Sequence, residues 1–563
     1  MPASPRTPTI KESSCSECDS SCDESDADRR GAAEAAQDED DAVEGTRVST
    51  WKQFCRSAGI HGLHYLALDG STKLERAFWA CCLLLSLGGC MALLSRMYYR
   101  WESTPSISTS EIRVQPLHEL PLPAVTICPE LKIRQSVLSQ LDGDVAQLEE
   151  DLKSLLCENT SVAEQKKTIK KELIDALVEV APNLTDLVFG FRIKNKFWSA
   201  AQGSFYWQSV LTDEGLCYSI NMLTPPEVFK EGTEQLEPPV LVPVPDNTTR
   251  PTATGWDPVQ GYIRDARISS VDDTYPVRAK RGAPNGIFAA LCLGVEDMDH
   301  QCRGPVQGFR AVLHGPAELP HMQHATRVLM GEETLMQILP ATTSTSEDLR
   351  GFDPFRRGCY FPGERELRHF KVYTKHNCEL ECASNASRAA CGCVSYYMPR
   401  SSGIPVCGPG SNACVREAEV SQTLLEMNVP GRESEAGCNC LPACESLEYR
   451  VDEDRANFEW EQSVRAWRIP ATYFEGKDCA RVSIFFKSNR AESSLRNELY
   501  SAEKFYAACA AVLGLFTGFS IINLVEAAYF IFIGVKGRLS RRFCRPHPGA
   551  TQPTANKSAE DKY

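Results

Sequence analysis

Three polar side chains interrupt the last apolar run of the chain, Tyr506 to Gly534, YAACAAVLGLFTGFSIINLVEAAYFIFIG. Ser520, Asn523 and Glu526 follow one another at intervals of three, so on a continuous helix they fall within roughly a third of the circumference. A carboxylate at membrane depth costs roughly 3 kcal/mol, so it faces a protein interior or water rather than lipid. Gly514 and Gly518 let another backbone approach closely or leave carbonyl oxygens open. Two chemistries fit: a helix-packing face with GxxxG spacing, or a row of oxygen dipoles along an aqueous path for a hard cation. The polar arc favours the second.

Such residues have to be positioned by membrane spans, and about 20 apolar residues suffice for a helix to cross. The run above is long enough, and a second, Ala77 to Ser95 (AFWACCLLLSLGGCMALLS), carries no charge. The first fifty residues are polar and lack an apolar signal core, so no cleavable signal peptide is expected. Two spans put both termini on one side, and Lys536, Arg538, Arg541, Arg542 and Arg545 mark that side as cytoplasmic. Of the 25 cysteines, 16 lie between the runs, clustered as in a disulfide framework. Sequons at Asn159, Asn183, Asn247 and Asn385 fall there too.

These signals divide the chain into 1–50, an acidic cytoplasmic tail; 51–76, a pre-span segment; 77–99, the first span; 100–503, an extracellular domain; 504–534, the second span; and 535–563, a basic tail. Part of the net charge of −14 sits in the first tail, and no basic patch with interleaved aromatics appears, which excludes nucleic acid as a partner. The ten histidines form no HExxH, and there is no GxSxG or Walker lysine loop, so an enzyme is not expected. Cys15, Cys18 and Cys22 have a spacing that suits zinc, but no partner pair follows and no metal is assigned. Apolar Leu138, Leu141, Val145 and Leu148 predict helix within 138–182, while 285–295 and 481–488 read as strands.

Several of these stretches carry a family resemblance. GLFTGFSIINLVE, with Glu526 six residues after Ser520, resembles the Gly-x-Ser tract and trailing Glu of the epithelial sodium channel/degenerin family. FCRSAGIHGLHYL, holding His61-Gly62, resembles the family's His-Gly gating motif. LPLPAVTICP (120–129) is similar to its first ectodomain strand, with Leu122 in place of the usual Phe. Gly215-Leu216-Cys217-Tyr218 and GFRAVLHGPAELP (308–320) match further strands, although Ser219-Ile220-Asn221 departs from the pattern. The block from Cys359 to Cys444 holds CxxxC, CxC and CxCxxxC, better read as disulfides than zinc in an oxidising compartment. It resembles the family's thumb domain (about 355–445), most closely in the pickpocket branch.

The resemblance implies an α+β, disulfide-rich extracellular domain of palm, thumb and finger type between two transmembrane helices, in a homo- or hetero-trimer with related subunits. It implies the pairs Cys128–Cys217, Cys359–Cys444, Cys378–Cys440, Cys382–Cys438, Cys391–Cys414 and Cys393–Cys407, leaving Cys157, Cys292, Cys302 and Cys479 without partners. Gly518, Phe519 and Ser520 would form a selectivity filter, and Glu526 with Asn523 the cytoplasmic mouth. His61, Gly62, Ala507 and Ala508 would serve gating; Ala507 stands where a bulky residue holds the gate open, and Ala508 replaces an Asp of acid-sensing members. The implied function is a plasma-membrane, amiloride-sensitive sodium channel, touching lipid, with no cofactor beyond permeant Na+ and an extracellular stimulus left open. A two-span receptor or adhesion protein without a pore is the alternative. Arg278-Ala279-Lys280-Arg281 reads either as a convertase site or as an exposed basic turn.

Overall fold

The computed structural model describes residues 50–103, 106–109, 115–141, 145–157, 167–234, 248–263, 273–427, 437–498 and 501–543. The chain divides into two compact units, Met1–Tyr99 with Ala502–Tyr563, and Arg100–Ser501.

The first unit begins with helix α1 (Thr50–Ser57) and a single turn, Leu63–Leu66, before the long α2 (Lys73–Ser103). Helix α2 exceeds the expected 77–99 by four residues at each end. Its start is fixed by a reciprocal cap: the Glu75 N–H donates to Thr72 Oγ1 (3.3 Å) and the Thr72 N–H to Glu75 Oε2 (3.0 Å). Among the described residues α2 is the one helix long and apolar enough by itself to cross a membrane.

The second unit holds most of the strands: β1 (Ser106–Thr109), β2 (Ala124–Pro129), β3 (Val188–Ile193), β4 (Lys196–Ser199), β5 (Trp207–Thr212), β6 (Gly215–Ile220), β7 (Ile287–Gly294), β8 (Gly308–His314), β9 (Thr326–Leu329), β10 (Glu332–Thr345), β11 (Ser446–Asn457), β12 (Lys477–Phe486) and β13 (Arg490–Glu498). Helices α3 (Val145–Leu156), α4 (Lys171–Val180), α5 (Lys375–Cys391) and α6 (Asn412–Met427) interrupt the series. The helical stretch expected across 138–182 is therefore broken. Leu138 closes its own turn, Gln135–Leu138, while Val145 and Leu148 belong to α3. The apolar spacing carries across Asp142-Gly143-Asp144, residue types that favour caps and turns over helix interiors.

A nine-stranded sheet runs β1–β13–β10–β12–β7–β3–β4, with β11 also on β10 and a short strand, Gln115–Pro116, on β13. Strand β10 changes parallel partner along its length, from β12 over Glu333–Ile338 to β13 over Ala341–Thr345. The β3–β4 hairpin turns on Lys194 and Asn195, both at positive φ (52° and 57°), the two-residue turn whose twist matches the strands. A five-stranded sheet, β9–β8–β2–β6–β5, buries all of β2 and β6. Trp207, Tyr218, Phe191, Phe309 and Phe370 are fully buried in the core these sheets share.

Eight disulfides staple this unit. Cys128–Cys217, Cys359–Cys444, Cys378–Cys440, Cys382–Cys438, Cys391–Cys414 and Cys393–Cys407 are bonded as the family resemblance implied. Cys157–Cys302 and Cys292–Cys479 join the four cysteines left without partners. Cys292 and Cys479 stand directly opposite each other in the β7–β12 register. Mixed α/β content and these eight bridges fit a disulfide-rich extracellular domain.

The chain returns to the first unit as α7 (Ala502–Thr517) and α8 (Ile521–Phe543), which bend by 67° across residues 518–520. The reading of 506–534 as one continuous helix is overturned here. Ser520 leaves the helix, and it does not share a face with Asn523 and Glu526 on α8.

Candidate functional site

The break at 518–520 is specified residue by residue. Thr517 Oγ1 donates to the Leu513 carbonyl (2.6 Å) and accepts from the Phe519 N–H (3.3 Å), so the last turn of α7 closes on its own side chain. The Gly518 N–H donates to the Gly514 carbonyl (2.9 Å), and its φ of +68° is the left-handed stop that glycine adopts at no steric cost. Phe519 is 39% exposed. Ser520 then caps α8: its carbonyl and its hydroxyl both accept from the Asn523 N–H (3.1 and 3.4 Å).

Asn523 is only 8% exposed and turns into the break. Its Nδ2 donates to the Gly518 carbonyl (3.1 Å), and its Oδ1 accepts from Ser520 Oγ (3.2 Å). That corrects its expected place beside Glu526 at an open mouth, because a buried amide is held by the groups that satisfy it. Glu526 is half-buried, and its Oε2 has no hydrogen-bond partner among the described residues.

The pre-span segment meets this break. The His61 N–H donates to the Thr517 carbonyl (3.0 Å), an oxygen that the end of α7 leaves unused. The His61 ring lies so near Gly518 that a Cβ there would come within 2.8 Å of it. Gly62 has φ +83° and turns the chain into Leu63–Leu66. A Cβ on Gly59 would sit 3.1 Å from Asn523 Oδ1, and Phe54 packs edge-on to Phe530 with ring centres 5.6 Å apart. From α2, Ser86 Oγ donates to the Phe516 carbonyl (2.7 Å), and the Phe516 ring lies against Gly89. The His-Gly and Gly-x-Ser motifs, distant in sequence, thus share one site. Ser86, Gly59 and Thr517 had not been singled out; a lone serine inside an apolar span was the available signal. Ala507 and Ala508 lie elsewhere, on α7 about 15 Å along its axis from the break.

In the second unit a charge cluster is buried between β2, the β5–β6 turn and β8. Glu214 meets Arg310 (3.0 Å), Lys132 (3.2 Å) and Arg303 (3.4 Å), and Arg310 also binds Glu130 (2.9 Å). Burial pushes the Glu214 carboxyl up, but the three cations overcome this and hold it below its ordinary range. Burial lowers Lys132 even so. His314 and His376 are pushed down by burial to about 4 and about 3. For His314 the neutral ring fits its neighbours: Nδ1 meets the Gly315 carbonyl (3.0 Å) and Nε2 the Thr126 hydroxyl (2.9 Å).

Other expected sites fall as follows. Asn385 is exposed on α5 and Asn183 half-exposed ahead of the turn Leu184–Leu187, whereas Asn159 and Asn247 lie outside the described residues, as do Cys15, Cys18 and Cys22. In Arg278–Arg281, Lys280 and Arg281 are exposed, as a basic surface turn would have them, but the backbone is tied down, with Arg281 bridged to Phe486. Ala279 is fully buried with its N–H on the Leu120 carbonyl (2.9 Å), and the Arg278 guanidinium lies 3.7 Å from the Tyr262 ring centre.

The parts that stand out are a disulfide-stapled α+β unit, a helix long and apolar enough to cross a membrane, and a bent helix pair interrupted at a glycine. The chain belongs to the amiloride-sensitive sodium channel family, whose model matches residues 54–530. It is 27% identical to Pickpocket protein 28 of Drosophila melanogaster over 85% of this chain and 78% of that one. Sodium channel protein Nach of the same fly is 21% identical (86% and 87% covered), and Acid-sensing ion channel 4 of Mus musculus 22% (88% and 81%). The last two of these relatives are named as ion channels.

Proposed function

We propose that this chain is a subunit of a plasma-membrane cation channel that passes Na+, is blocked by amiloride and opens through rearrangement of its extracellular domain. Three like subunits, of this chain or of relatives, surround one pore. Each crosses the membrane twice, with both termini cytoplasmic and the stretch 100–503 outside. The break Gly518-Phe519-Ser520 carries this reading. An uninterrupted helix spends its carbonyls on itself, whereas a break in a span is tolerated where it is buried in protein or lines water. Here the Gly518 carbonyl and Ser520 hydroxyl supply oxygen dipoles that replace part of the shell of a hard cation. Glu526 raises the local Na+ concentration beyond them.

A bulky residue at Ala507 bypasses the unknown stimulus. In oocytes, Ala507→Phe should give a standing Na+ current that amiloride blocks and that disappears when a large cation replaces external Na+. If the protein reaches the surface and carries no such current, alone or with a co-expressed relative, this reading fails in favour of a receptor without a pore.

A further inference from the structure

Both oxygens assigned above to the ion are gripped by the same amide. Asn523 donates Nδ2–H to the Gly518 carbonyl at 3.1 Å and accepts the Ser520 hydroxyl at 3.2 Å. The flipped amide would set oxygen against oxygen at Gly518, so the carbonyl fixes the orientation. Asn523 is 8% exposed although its neighbours Ile522, Leu524 and Val525 are 69%, 58% and 63% exposed. The side chain is therefore committed to the break, and Gly59 lies beside Oδ1, where a Cβ would come within 3.1 Å of it.

We propose that Asn523 is a positioning residue that sets the ion selectivity of the break, its planar amide acting as a fixed spacer between the Gly518 carbonyl and the Ser520 hydroxyl. This rests on the filter reading given above. A carbonyl oxygen has two lone pairs, so one hydrogen bond to Asn523 aims the dipole and leaves the other lone pair for the ion. The number and field of such dipoles decide which alkali cation replaces its water most cheaply. The same amide sets the reach of the serine hydroxyl, so one substitution moves both ligands.

The test is the reversal potential with Na+ outside and K+ inside, in oocytes expressing the full chain with Ala507→Phe. Asn523→Leu removes both bonds at similar volume; Asn523→Asp keeps the acceptor for Ser520 but loses the donor to Gly518. Asn523→Asp should change the Na+/K+ permeability ratio by about five-fold, the equivalent of one hydrogen bond, and Asn523→Leu by more, with surface protein unchanged. If the leucine variant fails to reach the surface, the near-isosteric aspartate decides. Ser520→Ala separates the two claims. A shifted potential in Ser520→Ala with a parental potential in both Asn523 variants overturns the spacer and leaves the filter standing. Parental potentials in all three remove the filter reading, and the spacer with it.

Discussion

All sixteen bonded cysteines lie in Arg100–Ser501, whereas the free thiols among the described residues, Cys55, Cys81, Cys82, Cys90 and Cys509, all lie in the other unit. The larger unit is cross-linked, with a continuous apolar core and a caged charge cluster. The break in the smaller unit is kept in shape by single hydrogen bonds between Thr517, Gly518, Ser520, Asn523 and His61. A hydrogen bond contributes about 1 kcal/mol net and a disulfide about 2 to 4. The larger unit is thus suited to carry force as a stiff body, and the break is where a few kcal/mol changes conformation.

The largest test of that contrast is Glu214→Gln, which leaves Lys132, Arg303 and Arg310 without their shared carboxylate. Removing one member of a buried ionic group costs about 3–5 kcal/mol, so the purified variant should melt well below the parent. An unchanged melting temperature would mean that the cluster is hydrated and does not brace the unit. Next comes the Cys128→Ala, Cys217→Ala double variant, expected to lose about 2–5 kcal/mol and much of its surface delivery, read by biotinylation. Cys55→Ala, in the other unit, should change delivery little. Equal losses from both would erase the distinction between the units.

Acid should weaken the larger unit through its histidines. The folded values of His314 and His376, about 4 and about 3, lie below the ordinary 6.5, so the unfolded chain binds more protons in between. Their stability is complete above pH 6.5 and is lost as pH falls toward the folded values, by about 1.4 kcal/mol per pH unit for each ring. Asp213, Glu318 and Glu419, raised by burial, oppose this in part. Melting temperature should fall from pH 7 to pH 5, and fall less in His314→Gln.

Gly518→Ala acts on the other unit. A left-handed alanine costs roughly 1–2 kcal/mol, and the His61 ring must also move. Current in the Ala507→Phe chain should drop while the melting of the larger unit stays put; a joint loss would show the units unfolding as one. The smallest effect belongs to Arg278–Arg281, where a convertase inhibitor should leave fragment pattern and current unchanged, since Ala279 is paired and buried. A cleavage product ending at Arg281 would contradict that.

How much was legible follows from what kind of signal each feature leaves. Strands β7 and β12 are local patterns that a chain displays directly, whereas strands β2 and β8, six of the eight disulfide pairs and the roles of the His-Gly and Gly-x-Ser tracts were legible only through the family resemblance, because spacing alone does not choose a cysteine's partner. The bend at Gly518 was hidden because an apolar run looks the same whether one helix or two cross it; only the left-handed glycine marks the join. Asn523 was read by helical period as a neighbour of Ser520 along one face, when Ser520 is its cap. The docking of His61 on Thr517 and Gly518 is a tertiary contact, which no spacing encodes. In 138–182 the leucine periodicity ran on past a poor helix former and suggested one element where there are several.

Strand β10 also has a consequence for biosynthesis. Its parallel neighbours, β12 and β13, stand some 150 positions downstream, as the Ser483–Glu333 hydrogen bond measures. Until the ribosome has delivered them, a 14-residue strand waits with that edge open, and such edges recruit other chains. Strand β11 is made earlier and covers the opposite edge over twelve residues in antiparallel register. A product terminated anywhere before Lys477 would therefore keep an unpaired β10 edge however well its cysteines from Cys359 to Cys444 had oxidised, and aggregation rather than a soluble fragment is its expected fate.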